Sequence, residues 1–138
     1  MKHLVALLRE QHASLLIQVD QLTRRLETPL WWEQCAGLHA TVARFGELLI
    51  EHLAIEDEAF YPRAFQHPKG SELAHQFHKD MGHLRDTVDG YLEAWPNDQE
   101  IAKNPAGFKD YTEALVRFLH RRIEAEEKEL YPTVVEEP

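Results

Sequence analysis

Four stretches of the chain, each about two dozen residues long, place apolar side chains at steps of three and four. Nowhere do apolar and polar residues alternate for long enough to make a strand. Such a chain can bury its apolar faces only by packing helix against helix. The first stretch runs from about His3 to Glu27, with Val5, Leu8, Leu15, Val19, Leu22 and Leu26 on one face. Thr28-Pro29 reads as a cap followed by proline in a first helical turn. A second helix is therefore expected from there to about Ala59, with Leu38, Val42, Phe45 and Leu49 on its stripe. His67-Pro68 and Gly70-Ser71 mark the next break. A third helix, about Glu72 to Trp95, carries Phe77, Met81, Leu84, Val88, Tyr91 and Trp95. Pro96 to Pro105 is the longest connection, with room for a short helical turn. Asn104-Pro105 then opens a fourth helix, about Ala106 to Leu130, which ends in a short acidic tail. The expectation is an all-α, up-down-up-down four-helix bundle forming one domain over residues 1–138.

Charge narrows the partners. Lysine and arginine total 15 against 24 acids, a formal charge of −9 that repels phosphate backbones and anionic membrane faces. No apolar run approaches the roughly 20 residues of a membrane span. Met1-Lys2-His3 leads straight into the amphipathic pattern, and the single cysteine, Cys35, has no partner for an internal disulfide. These features point to a cytoplasmic protein that engages neither nucleic acid nor membrane.

The residues that interrupt the apolar stripes carry the functional information. His12 takes a core position in the first helix. In the second, His52 and Glu56 take consecutive core positions after Leu49. An imidazole and a carboxylate four residues apart lie about 40° apart around a helix and one turn apart along it, so both reach the same interior point. A carboxylate placed there needs a compensating partner. The fourth helix offers a similar pair, His120 and Glu124. The segment His52-Leu-Ala-Ile-Glu56-Asp-Glu58 matches His120-Arg-Arg-Ile-Glu124-Ala-Glu126 at His, Ile, Glu and Glu. Each leads to a Tyr-Pro, Tyr61-Pro62 and Tyr131-Pro132, expected to stop the helix. The chain reads as two helical hairpins of similar design. On the third helix, His78 precedes apolar residues as His12 does. It lies 42 residues before His120, against 40 between His12 and His52. His83, 37 residues before His120, fits less well, while His75 shares a face with His78.

The order His12, His52-x-x-x-Glu56, His78, His120-x-x-x-Glu124, with both pairs leading to Tyr-Pro, resembles the hemerythrin-like (HHE cation-binding) domain over nearly the whole chain. The resemblance implies a bundle holding two non-haem iron ions bridged by carboxylates and an oxo or hydroxo group, with manganese an alternative metal. His12, His52, His78 and His120 would be terminal ligands, and Glu56 and Glu124 would bridge. Oxygen-carrying hemerythrins have a fifth histidine four residues before the one matching His78, where this chain has Ala74. The four-His, two-Glu set is similar to the domain of bacterial iron-centre repair proteins. O2, NO or peroxide are the ligands implied, and a redox partner is left unspecified. A carrier, a stress-response redox enzyme or iron donor, and a metal-dependent sensory module all remain open.

The other candidates have plainer readings. His3, His39 and His67 read as surface or loop histidines. Trp31, Trp32, Trp95, Tyr91 and Phe118 read as packing residues. Cys35 reads as a buried or half-buried thiol. Glu127, three residues beyond Glu124, is a candidate outer partner of the site.

Overall fold

The computed structural model describes residues 1–135, and the described residues form helices and connections without a strand. Helix α1 spans Lys2–Glu27, α2 Leu38–Ile55, α3 Tyr61–Phe65, α4 Ser71–Met81, α5 Leu84–Ala94, α6 Asp98–Lys103, α7 Pro105–Ala125 and α8 Tyr131–Val135. They build four arms. The first is α1, the second α2 running into α3, the third α4 with α5, and the fourth α7 running into α8. Contacts join α1 to α2, α2 to α5, α5 to α7 and α7 back to α1, which closes the bundle.

The apolar stripes face inward as their spacing requires. Val5, Leu8, His12, Leu15, Val19, Leu22 and Leu26 are the buried residues of α1, and Leu38, Val42, Phe45, Leu49 and His52 are buried along α2. The third arm buries Phe77, Met81, Leu84, Val88, Tyr91 and Trp95.

Three local features depart from the sequence reading. The second helix starts at Leu38 instead of near Pro29. Leu30 adopts a left-handed φ of 58° and Gly37 one of 79°, so the chain turns twice around a short 3-10 segment, Trp31–Glu33, before α2 can begin. Asp98, from α6, then caps α2 across the bundle end, accepting from the backbone N–H of Gly37 at 3.0 Å and of His39 at 2.7 Å.

The third helix is broken between Met81 and Leu84. Gly82 sits at the break, where a Cβ would run into the His78 carbonyl oxygen.

The Tyr-Pro pairs do not end the second and fourth arms. A π turn precedes each pair, Glu56–Phe60 and Glu126–Leu130, and helix resumes at Tyr61 and Tyr131. In each turn the tyrosine N–H reaches back five residues, to the carbonyl of Glu56 or Glu126. The wider turn suits a following proline, which has no N–H to give and would crowd a regular helix. The acidic tail expected beyond Leu130 is helical through Val135, and its remainder lies outside the described residues.

Two apolar clusters fill the interior. One, from Leu15 and Leu49 to Leu84 and Ile123, occupies the end nearer the α1–α2 connection. The other gathers Val5, Leu8, Phe60, Met81 and Leu130 at the opposite end. Between them lies a polar layer.

Candidate metal centre

Three of the four arms place side chains in this layer where their stripes pass from one cluster to the other. In α1, His12 follows Leu8 and precedes Leu15. In the second arm, His52 and Glu56 lie between Leu49 and Phe60. In the fourth, Arg122 and Glu126 lie between Leu119 and Leu130. All five are buried, with Glu56 and Glu126 fully enclosed. The π turns matter here. Five residues along a regular α-helix end about 140° from where they began, whereas the wider turn keeps Glu56 and Tyr61, and likewise Glu126 and Tyr131, all buried.

Four donor atoms converge. His12 Nε2 lies 3.1 Å from His52 Nε2, 3.3 Å from Glu126 Oε1 and 3.7 Å from Glu56 Oε1, and His52 Nε2 lies against Glu56 Oε1. His12, His52, Glu56 and Glu126 each offer one ligand atom, and these atoms all lie within 4.8 Å of one another. Donors that share one ion at about 2.0–2.2 Å sit roughly 3 Å apart, close to the spacings here. Glu56 Oε1 and Glu126 Oε1 are buried and have no hydrogen bond among the described residues. Buried oxygens of that kind call for a cation or a proton.

The remaining atoms of these side chains are held from behind. His52 Nδ1 donates to Gln11 Oε1 at 2.7 Å, which leaves Nε2 with its lone pair facing the centre. His12 Nδ1 lies 3.4 Å from Glu127 Oε2. On the carboxylates, Oε2 of Glu126 accepts from Tyr61 at 2.7 Å and from Arg122 Nε at 3.3 Å, and Oε2 of Glu56 accepts from Arg122 Nη2 at 3.4 Å.

Without a metal the layer is balanced by protons and by Arg122. Burial disfavours charge on His12, but the adjacent Glu126 and Glu56 carboxylates outweigh it and raise its pKa to about 9. Burial, with Glu56 as a like-charged neighbour, pushes Glu126 up to about 8. Burial also opposes charge on Glu56. The protonated Glu126 carboxyl, Arg122 and His52 nevertheless hold it well below the ordinary carboxylate range. A cation entering the layer replaces protons already held at the positions it would occupy.

A family model for the hemerythrin HHE cation-binding domain matches residues 3–134. The chain belongs to the hemerythrin family. No curated protein and no solved structure matches it.

Within this hemerythrin domain, the six residues expected as ligands are not all brought together. His12, His52 and Glu56 meet in the buried layer. His120 and Glu124 lie exposed on the outer face of α7, where Glu124 pairs with Lys128 at 2.7 Å. The expectation that this pair faces inward is corrected by the register of α7. Its buried positions are Phe108, Thr112, Leu115, Leu119, Arg122 and Ile123, and Glu126 follows in the π turn. Counting back from Tyr-Pro identifies the inward pair. Glu56 lies five residues before Tyr61 and His52 nine before it, and the corresponding residues before Tyr131 are Glu126 and Arg122. The match at His120 and Glu124 is therefore two residues out of step.

The third arm supplies no side-chain donor to the layer. His78 is exposed, with its ring edge-on to Phe65 at 5.6 Å. His75 is exposed, stacks on Phe65 and bonds the Ser71 carbonyl at 2.8 Å. His83 packs edge-on against Phe118. Histidine–glutamate spacing alone did not find Glu126, Arg122, Tyr61, Tyr131 or Gln11, whereas the Tyr-Pro register reaches the first four. Glu127 does touch the site, through His12.

The donor set fits one cation, with two imidazoles and two carboxylates as its ligands. It does not fit the expected iron pair, because three of the six ligands assigned to the pair lie outside the layer.

Proposed function

We propose that this hemerythrin-family protein holds a transition-metal cation on His12, His52, Glu56 and Glu126 and offers it to a small ligand such as O2, NO or peroxide. The convergence of four buried donor atoms, three of them on side chains hydrogen-bonded from the far side, is the observation that carries this reading. Two imidazoles with carboxylates suit iron(II) or manganese(II). When bound, such a cation supplies a redox-capable site that takes small ligands, as in the wider family.

The chain's own residues set the conditions. Gln11 fixes the ring orientation of His52. Tyr61 and Arg122 hold the outer carboxylate oxygens, which turns the inner ones toward the centre. Tyr131, 3.4 Å from His12 Nε2, places a hydroxyl at its edge, and burial pushes that hydroxyl's pKa far above its ordinary value. It therefore stays protonated and can donate a hydrogen bond to an anionic ligand. The apolar clusters on either side limit water.

The test is the metal content of the purified protein, followed by its optical spectrum through reduction and exposure to O2 or NO. Stoichiometric iron or manganese with a ligand-dependent band supports the reading. Protein that takes up neither metal when reconstituted overturns it.

A further inference from the structure

The second half of the centre contains a cation of its own. Arg122 occupies, relative to Tyr131, the place that His52 occupies relative to Tyr61. Its guanidinium lies among the groups a second ion would need. It donates to Glu56 Oε2 at 3.4 Å, to Glu126 Oε2 at 3.3 Å and to the carbonyl oxygen of Met81 at 3.0 Å. Its Cζ also sits 5.5 Å from the centroid of the Tyr61 ring.

A carboxylate that bridges two ions gives one oxygen to each. Here both glutamates divide in that way. Their Oε1 atoms face the two imidazoles, and their Oε2 atoms face the guanidinium. The third arm follows the same logic. In the first half His12 meets His52 from 40 residues away, and in the second half the Met81 carbonyl meets Arg122 from 41. That carbonyl belongs to the last residue of α4, where the helix breaks.

We propose that the Arg122 guanidinium stands permanently in the place of a second metal ion, so that the centre takes up one divalent cation per chain and not two. The proposal rests on the metal-binding reading above and adds its count. Guanidinium is planar, always charged and able to donate to two carboxylates at once, so it can neutralise bridging oxygens without leaving the fold. Its own position is over-determined by the three acceptors, and it is 3% exposed.

The experiment is anaerobic titration of the metal-free full chain with manganese(II), and separately with iron(II). Bound metal is counted by equilibrium dialysis, and the manganese form is examined by electron paramagnetic resonance. One equivalent with the signal of an isolated ion supports the proposal. Two equivalents with an exchange-coupled signal overturn it while leaving the metal-binding reading intact. No uptake overturns that reading instead.

Arg122→Gln then tests the substitution itself. It leaves Glu56 Oε2, Glu126 Oε2, the Met81 carbonyl and a new amide oxygen, a set suited to manganese(II). The expected result is a second, weaker equivalent, a twofold rise in bound metal at saturation. Arg122→Lys keeps the charge and should stay at one. A folded Arg122→Gln variant, by circular dichroism, that still binds one equivalent overturns the claim that the guanidinium holds the second place. If that variant does not fold, the wild-type count and its resonance signal still decide the stoichiometry.

Discussion

The Tyr61 hydroxyl donates to Glu126 Oε2 at 2.7 Å, joining the second arm to the fourth across 65 residues of sequence. Burial first, then the neighbouring Glu126 and Glu56, push the pKa of this phenol far above its ordinary value, so it remains a donor throughout the working pH range. Tyr61→Phe keeps the ring beneath Arg122 and removes only the hydrogen bond. The expected cost in the metal-free protein is about 1–3 kcal/mol, read from urea denaturation. An unchanged midpoint with an unchanged slope would show that the bond is not formed in solution.

Inward and outward residues should separate cleanly under substitution. His52→Ala and Glu56→Ala are expected to lose the metal on dialysis. His120→Ala and Glu124→Ala, which change exposed side chains of α7, should retain the full wild-type amount. Elemental analysis of the dialysed proteins makes the comparison. Metal lost from the second pair and kept by the first would return the centre to the outer face.

Gln11 reaches the centre through His52, whose Nδ1 it holds at 2.7 Å. Gln11→Ala frees the ring to rotate and to exchange its proton position. Metal affinity should fall by roughly 10–100-fold with the stoichiometry unchanged. Competition with a chelator of known affinity measures the change, and equal affinity of variant and wild type would remove Gln11 from the positioning role.

Asp98 provides a prediction away from the metal. The His39 backbone N–H, opposed by some burial and helped by the Gly37 N–H, holds its carboxyl below the ordinary value of 3.8. A carboxyl lowered by folding contributes stability that is fully present above pH 3.8 and is lost as pH falls through its folded value. Asp98→Ala should therefore cost about 0.5–2 kcal/mol at neutral pH, the usual range for a lost helix cap, and the loss should shrink toward zero in acid. Thermal melts taken in steps from pH 7 downward through the acid range test both halves of that statement.

Much of this architecture can be read from the chain itself, because three-and-four stepping fixes which face of a helix is buried. His12, His52 and Glu56 fall on those steps and lie inside. The same stepping carried along α7 from Phe108 gives 112, 115, 119, 122 and 126, which leaves His120 and Glu124 outside. Residue type pointed one way there and register the other, and the core follows register. The start of α2 was not legible because a left-handed backbone at Leu30, a non-glycine, has little sequence signature. The break at Gly82 carries one only in hindsight, since an isolated glycine is tolerated within many helices.

The π turns leave each of these two arms dependent on a count of residues. Each turn holds one residue more than a regular helix would, and the wider turn absorbs it, so that Tyr61 and Tyr131 keep the phase of a residue four places along a regular helix. Removing one of residues 57–60 therefore lets the arm close into a regular helix with the distal segment still facing the core. Closing the turn without a deletion would instead rotate everything from Tyr61 onward by about 100°, carrying the Tyr61 hydroxyl off Glu126 and Ala64 out of the core. A deletion in these two short stretches spares the phase of the distal segment, whereas the extra residue kept in a regular helix would reset it.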